Sequence, residues 1–224
     1  MKYSSDEFAR MLRALSSDIV DAHIHWRLAN DIGGALRDHP LVAAQSNTFW
    51  SLTHTAHVAT ALQCLARAYD QEDSSLHLPA LLEAIRDNSS VFAVSEFRER
   101  LKDNPFVESL AEGATPPDPA ILAVDIALCS ATDPDVNLLV QYRNTRSAHR
   151  SRKLSIRAAK RQHTVLSDQV VQVLLDRAKL IFNRYVYLFS AEVYSTMIIG
   201  RDDYKFIFSS VEEKVMRLRA GHNA

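Results

Sequence analysis

Along almost the whole chain, apolar residues recur three and four positions apart, the spacing that lines one face of an α-helix. Phe8, Met11, Leu12, Leu15, Ile19 and Ile24 set the first stripe, and Ser4 with Glu7 makes a capping box ahead of it. A helix is therefore predicted over roughly 5–30, with Gly33-Gly34 and Pro40 as punctuation. A second helix is predicted over about 42–70, with Phe49, Leu52, Ala59, Leu62 and Tyr69 toward the core. Asp73-Ser74-Ser75 reads as a turn and cap before a short helix through Leu81 and Ile85, and Glu96 to Lys102 reads as another. Pro105 to Pro119 reads as a loop, followed by a helix over about 119–130. Thr132-Asp133-Pro134-Asp135 is a strong helix start, a capping residue followed by proline at the first helical position. Thr164 or Ser167 is expected to cap the longest helix, over about 167–199. Ser209-Ser210, with Glu212 and Glu213 three residues on, predicts the start of the last one.

The composition agrees. Among 224 residues there are five glycines and seven prolines, none of the prolines beyond Pro134. Tight turns are correspondingly few, which argues against a sandwich or barrel. The short connections favour one bundle, a single domain over 1–224. The most apolar region, Leu180 to Ile199, holds Asn183, Arg184 and Glu192 and is too interrupted to span a membrane. Met1 to Glu7 has no apolar run behind it, so no signal peptide is read. Cys64 and Cys129 match no metal spacing and read as reduced packing residues of a cytoplasmic protein.

Charge is distributed unevenly. Between Arg143 and His163 lie eight Lys or Arg and no Asp or Glu; the rest carries 18 basic against 27 acidic residues, net −9. One cationic segment on an acidic body suits a polyanion such as RNA. A solvated basic helix end is the plainer alternative. Val136, Leu139, Val140, Arg143 and Ser147 follow one helical stripe, so the Arg143 guanidinium extends an apolar face and must find a partner or border a cleft. His149 falls about 120° around an ideal helix from Arg143. The two converge on one phosphate only if the helix loosens near Ala148 or a second subunit contributes.

Arg143-Asn144-Thr145-Arg146-Ser147-Ala148-His149 resembles the HEPN signature: Arg, a polar residue, four more residues and His, late in a helix of an all-α bundle. Phe49-Trp50 opening a long helix that ends Ala68-Tyr69-Asp70, then Ser75-Leu76, and Arg143-Asn144 leading into Ala148-His149-Arg150, are similar to the abortive-infection, AbiU-type branch. The resemblance covers most of the chain loosely and is specific only from Arg143 to His149. It implies an all-α, HEPN-like helical bundle with long antiparallel helices. It further implies a homodimeric, metal-independent endoribonuclease without cofactor, in phage defence or a toxin–antitoxin system, where an antitoxin protein would be a partner. His149 would transfer protons, Arg143 would meet the phosphate and Asn144 would orient. Arg146, Arg150, Arg152, Lys153 and Arg157 would hold the RNA backbone.

Residue chemistry is compatible with these roles. Imidazole titrates near neutrality, and guanidinium is a permanently charged fork for phosphate oxygens. The alternatives are a non-catalytic HEPN module that binds RNA or a partner protein, and a helical scaffold with no nucleic-acid role. His54 and His57, three apart, could share a metal, whereas His23 and His25, two apart, diverge on a helix, and no acidic–histidine pattern accompanies them. Phe182, Tyr185, Tyr187, Phe189 and Tyr194 read as core rather than as a base-stacking platform.

Overall fold

A computed structural model of the protein describes residues 2–144, 165–197, 200 and 202–222. It is all-α, with no strand among the described residues. The helices are α1 (Ser5–Asp38), α2 (Pro40–Gln45), α3 (Asn47–Ala68), α4 (Leu78–Asp87), α5 (Val94–Arg100), α6 (Val107–Glu112), α7 (Pro119–Cys129), α8 (Pro134–Tyr142), α9 (Asp168–Ser190) and α10 (Asp203–His222), with a 3₁₀ turn at Ser89–Phe92. No described helix is long and apolar enough to cross a membrane.

Two compact units are distinguished, one of Met1–Val20 with Gln63–Ser195 and one of Asp21–Leu62 with Thr196–Ala224. Helices α1 and α3 contribute to both. In the first unit, Phe8, Phe92 and Phe189 form an aromatic cluster, and Leu81, Leu82 and Ile85 of α4 are fully buried. The face of α9 bearing Val171, Leu174, Ala178, Ile181, Phe182, Tyr185 and Phe189 lies in this core. In the second unit, Ile32, Val42, Trp50 and Phe208 make the core. His25 and Gly33 of α1 there lie against His57 and His54 of α3, so the two helices run antiparallel.

Several boundaries differ from those the sequence predicts, each for a reason visible in the packing. Gly33-Gly34 does not end α1, which at 34 residues is the longest of the described helices. Gly33 is an internal close approach, since a Cβ there would stand 3.3 Å from the His54 ring. Helix α4 is capped by His77, whose Nδ1 accepts from the Ala80 N–H at 3.1 Å, and not by a serine. The expected loop 105–119 contains α6. Ser167 does cap α9, but the helix stops at Ser190, where Ala191 turns left-handed and Asn183 holds both the N–H and the carbonyl of Tyr194. Helix α10 starts six residues before Ser209, because Tyr204 and Phe208 carry its stripe back onto Trp50. Ser209 sits inside it and donates to the Lys205 carbonyl.

The first turns of α3 are also rotated from expectation. Trp50 is buried, while Phe49 is 61 % exposed and Leu52 65 %. Phe208, from far along the chain, stacks on Trp50 and decides which aromatic points inward. Leu62 and Tyr69, further along α3, are buried as expected, as are Cys64 and Cys129.

Candidate functional site

The site is built on α8. Asp133 caps the helix, its Oδ1 accepting from the N–H groups of Asp135 and Val136 at 3.0 and 3.1 Å, and Pro134 opens the first turn. Arg177 of α9 reinforces that start. Its Nη1 reaches Asp133 Oδ1 and the Leu128 carbonyl, each at 2.9 Å, and its Nη2 lies 3.4 Å from Asp135 Oδ2. One guanidinium thus ties the last turn of α7 to the first turn of α8. Burial opposes its charge, but the bond to Asp133 and the fields of Tyr69, Asp133 and Asp135 outweigh that and raise its pKa.

From this anchor the buried stripe of Val136 and Leu139 leads to Arg143, which continues α8 in helical conformation. At Arg143 and Asn144 the helix widens into a π-turn, a change of pitch met often at functional sites. Arg143 donates from Nη1 to Asp70 Oδ1. The ion pair is partly enclosed, Asp70 being 13 % exposed and Arg143 33 %. Asn144 is exposed.

Asp70 is held from both sides. Before it, Tyr69 is fully buried and donates its hydroxyl to the Leu174 carbonyl at 2.9 Å. After it, Gln71 donates to the carbonyls of Tyr69 and Cys129 and accepts from the Ala131 N–H at 3.1 Å. The carboxylate also accepts from the Gln71 N–H at 2.8 Å. Burial pushes against its charge, but the Arg143 bond and the N–H groups of Gln71 and Glu72 together hold it below the usual carboxylate range.

The partner that Arg143 requires is therefore Asp70, a role the sequence does not assign. Its signal was present in Ala68-Tyr69-Asp70, where α3 stops at Ala68, but no spacing rule joins residues 73 apart. His149, Arg146, Arg150, Arg152, Lys153 and Arg157 lie outside the described residues.

The other candidates resolve differently. His57 faces His25 of α1, Nδ1 to Nδ1 at 2.7 Å, so one ring carries the shared hydrogen. Burial, then the nearby His25 and His54, lower the His57 pKa. Among the described residues no three His, Cys, Asp or Glu are grouped as a metal site would need. Phe182, Tyr185 and Phe189 are core, and Tyr194 stacks on Phe182, but Tyr187 is exposed.

A family model described as HEPN_AbiU2, AbiU2, matches residues 5–218. The chain belongs to the AbiU2 family of HEPN domains. No curated protein and no solved structure matches it. The match spans α1, the Asp70–Arg143 pair and the basic segment after it, so it includes every residue of the candidate site.

Proposed function

We propose that this HEPN domain is a metal-independent endoribonuclease that works as a homodimer, in phage defence or as the toxin of a toxin–antitoxin pair. The observation that carries the reading is the Arg143–Asp70 pair. It holds a guanidinium at the head of a segment with eight basic and no acidic residues. A cation fixed by its surroundings can meet a phosphate without reorganising as charge builds on it.

In this reading a base removes the 2′-hydroxyl proton of RNA, the 2′-oxygen attacks the adjacent phosphorus, and the 5′-oxygen leaves with a proton from an acid. The products are a 2′,3′-cyclic phosphate and a 5′-hydroxyl. His149 moves protons, Arg143 meets the phosphate, Asn144 orients, and Arg146, Arg150, Arg152, Lys153 and Arg157 hold the backbone. One imidazole cannot hold and lack the proton at once, so two copies supply base and acid.

The test is cleavage of a mixed RNA by wild type and His149→Ala, with and without chelator, followed by end-group analysis. Chelator-resistant cleavage leaving cyclic phosphate, and lost in the variant with RNA binding retained, is expected. Chelator-sensitive cleavage, or full activity in His149→Ala, places the chemistry elsewhere.

One observation favours a second reading, a non-catalytic module that binds RNA or a protein: Arg143 is already partnered by a carboxylate. RNA binding by wild type without cleavage of any RNA offered is its expected result.

A further inference from the structure

The two arms of the Arg143–Asp70 pair come from different helices, and one turn of α9 holds both. On the Asp70 arm, Tyr69 donates its hydroxyl to the Leu174 carbonyl at 2.9 Å. Three residues along α9, Arg177 grips the start of the other arm, its Nη1 2.9 Å from Asp133 Oδ1 and its Nη2 3.4 Å from Asp135 Oδ2. Leu174 is fully buried, and the Arg177 and Asp133 side chains are 15 % and 12 % exposed. These attachments are therefore set in packed surroundings, where a guanidinium is tolerated only with carboxylates in reach.

A second clasp closes the frame. Arg177 Nη1 also donates to the Leu128 carbonyl at 2.9 Å. Gln71, next to Asp70, donates to the adjacent Cys129 carbonyl at 3.2 Å and accepts from the Ala131 N–H at 3.1 Å. The α7–α8 connection is thus gripped at neighbouring carbonyls from α9 and from the Asp70 arm. Distance makes the α8 start matter. Arg143 lies nine residues beyond Pro134, about 14 Å along the helix axis. A tilt of roughly 5° about that start moves Arg143 by about 1 Å, enough at a reacting centre to cost about a hundredfold in rate.

We propose that Arg177 is a positioning residue of the site: by pinning the start of α8 to the turn of α9 that also holds Tyr69, it sets where the Arg143 guanidinium stands against Asp70. The inference rests on the proposed function for what Arg143 does there.

Arg177→Met and Arg177→Lys in the full chain test it, read first without RNA. The side-chain Nε–Hε signal of Arg143 in a nitrogen-resolved NMR spectrum, assigned by its loss in Arg143→Lys, reports the pair. In Arg177→Met that signal should move from its wild-type position and exchange faster with water, while circular dichroism is unchanged. A merely structural Arg177 would lower the melting point and leave the signal of the folded protein in place. Lysine keeps a charge at Asp133 but lacks the fork, so Arg177→Lys should fall between the two. On RNA, kcat of Arg177→Met should drop roughly tenfold to a hundredfold with KM within about twofold, and Arg177→Lys should recover part of the loss. An unmoved Arg143 signal in folded Arg177→Met would overturn the proposal. Should the methionine variant not fold, Arg177→Lys decides, and a wild-type signal there overturns it equally. Because the signal is read without RNA, a wild type that cleaves nothing removes the nuclease and leaves this inference standing. An unmoved signal with cleavage intact does the reverse.

Discussion

Arg143, where α8 ends, and Asp70, two residues past the end of α3, form an ion pair whose carboxylate side is braced by Tyr69 and Gln71. If Arg143 meets a phosphate as proposed, the bracing would matter, because a guanidinium free to swing would lose its orientation, whereas one held by a fixed carboxylate keeps it.

Asp70→Asn should therefore separate placement from charge. The variant is expected to lose about 1.5–3 kcal/mol of stability, the scale of a hydrogen bond to a charged group. RNA affinity should hold or tighten, because a negative charge has gone, while kcat falls roughly tenfold as Arg143 loses its orientation. The Asp70 pKa lies below its usual ~3.9. Its stabilisation is thus present above that value and lost only as pH falls through the lower folded one. An unchanged kcat at pH 7 in Asp70→Asn, in a folded variant, would show the pair to be structural.

Reversing Arg152, Lys153 and Arg157 to Glu should weaken RNA binding at least tenfold without unfolding the helices. If these residues contact three phosphates, the slope of log affinity against log salt should shrink by about 2. A filter-binding series between 50 and 200 mM salt measures both, and an unchanged slope would make the basic run plain solvated surface.

Tyr69→Phe removes the hydroxyl that donates to the Leu174 carbonyl in a fully buried setting. The expected cost is about 1 kcal/mol, read as a melting point about 2–4 °C lower. Because Tyr69 precedes Asp70, any nuclease activity should fall as well. Wild-type melting would show that the hydroxyl contributes nothing to holding the end of α3.

What the sequence makes legible here is local. The Ser4–Glu7 box and the Asp133-Pro134 start both form as read, since each depends on residues two or three apart. The stripe through Val136 and Leu139 rightly implied that Arg143 needs a partner. The identity of that partner was not legible, because Asp70 arrives from 73 residues away. The same holds for the choice of Trp50 over Phe49, decided by Phe208, and for the early end of α9, decided by Ala191 and by Asn183 clasping Tyr194. The HEPN family was legible from Arg143 to His149, and its AbiU-type branch from Phe49-Trp50, Ala68-Tyr69-Asp70, Ser75-Leu76 and the run from Arg143-Asn144 to Ala148-His149-Arg150; both are borne out by the match over residues 5–218.

The second unit should weaken in mild acid through His57. Its Nδ1 lies 2.7 Å from that of His25, an arrangement that holds one hydrogen between two rings and has no room for two. Burial and the neighbouring His25 and His54 keep its pKa below the ~6.5 of free imidazole. As pH falls through about 6.5 the unfolded chain takes up this proton while the folded one does not, so stability falls with pH until the lower folded value is passed. The chain's two tryptophans, Trp26 and Trp50, are both buried and both belong to the second unit, so their fluorescence reports its unfolding. Urea midpoints read from that fluorescence should drop between pH 7.5 and 5.5 in wild type. In His57→Gln the drop should be clearly smaller, because glutamine carries no titrating proton. If His57→Gln keeps the full pH dependence, the acid sensitivity of this unit arises at another group and the histidine pair is only a packing contact.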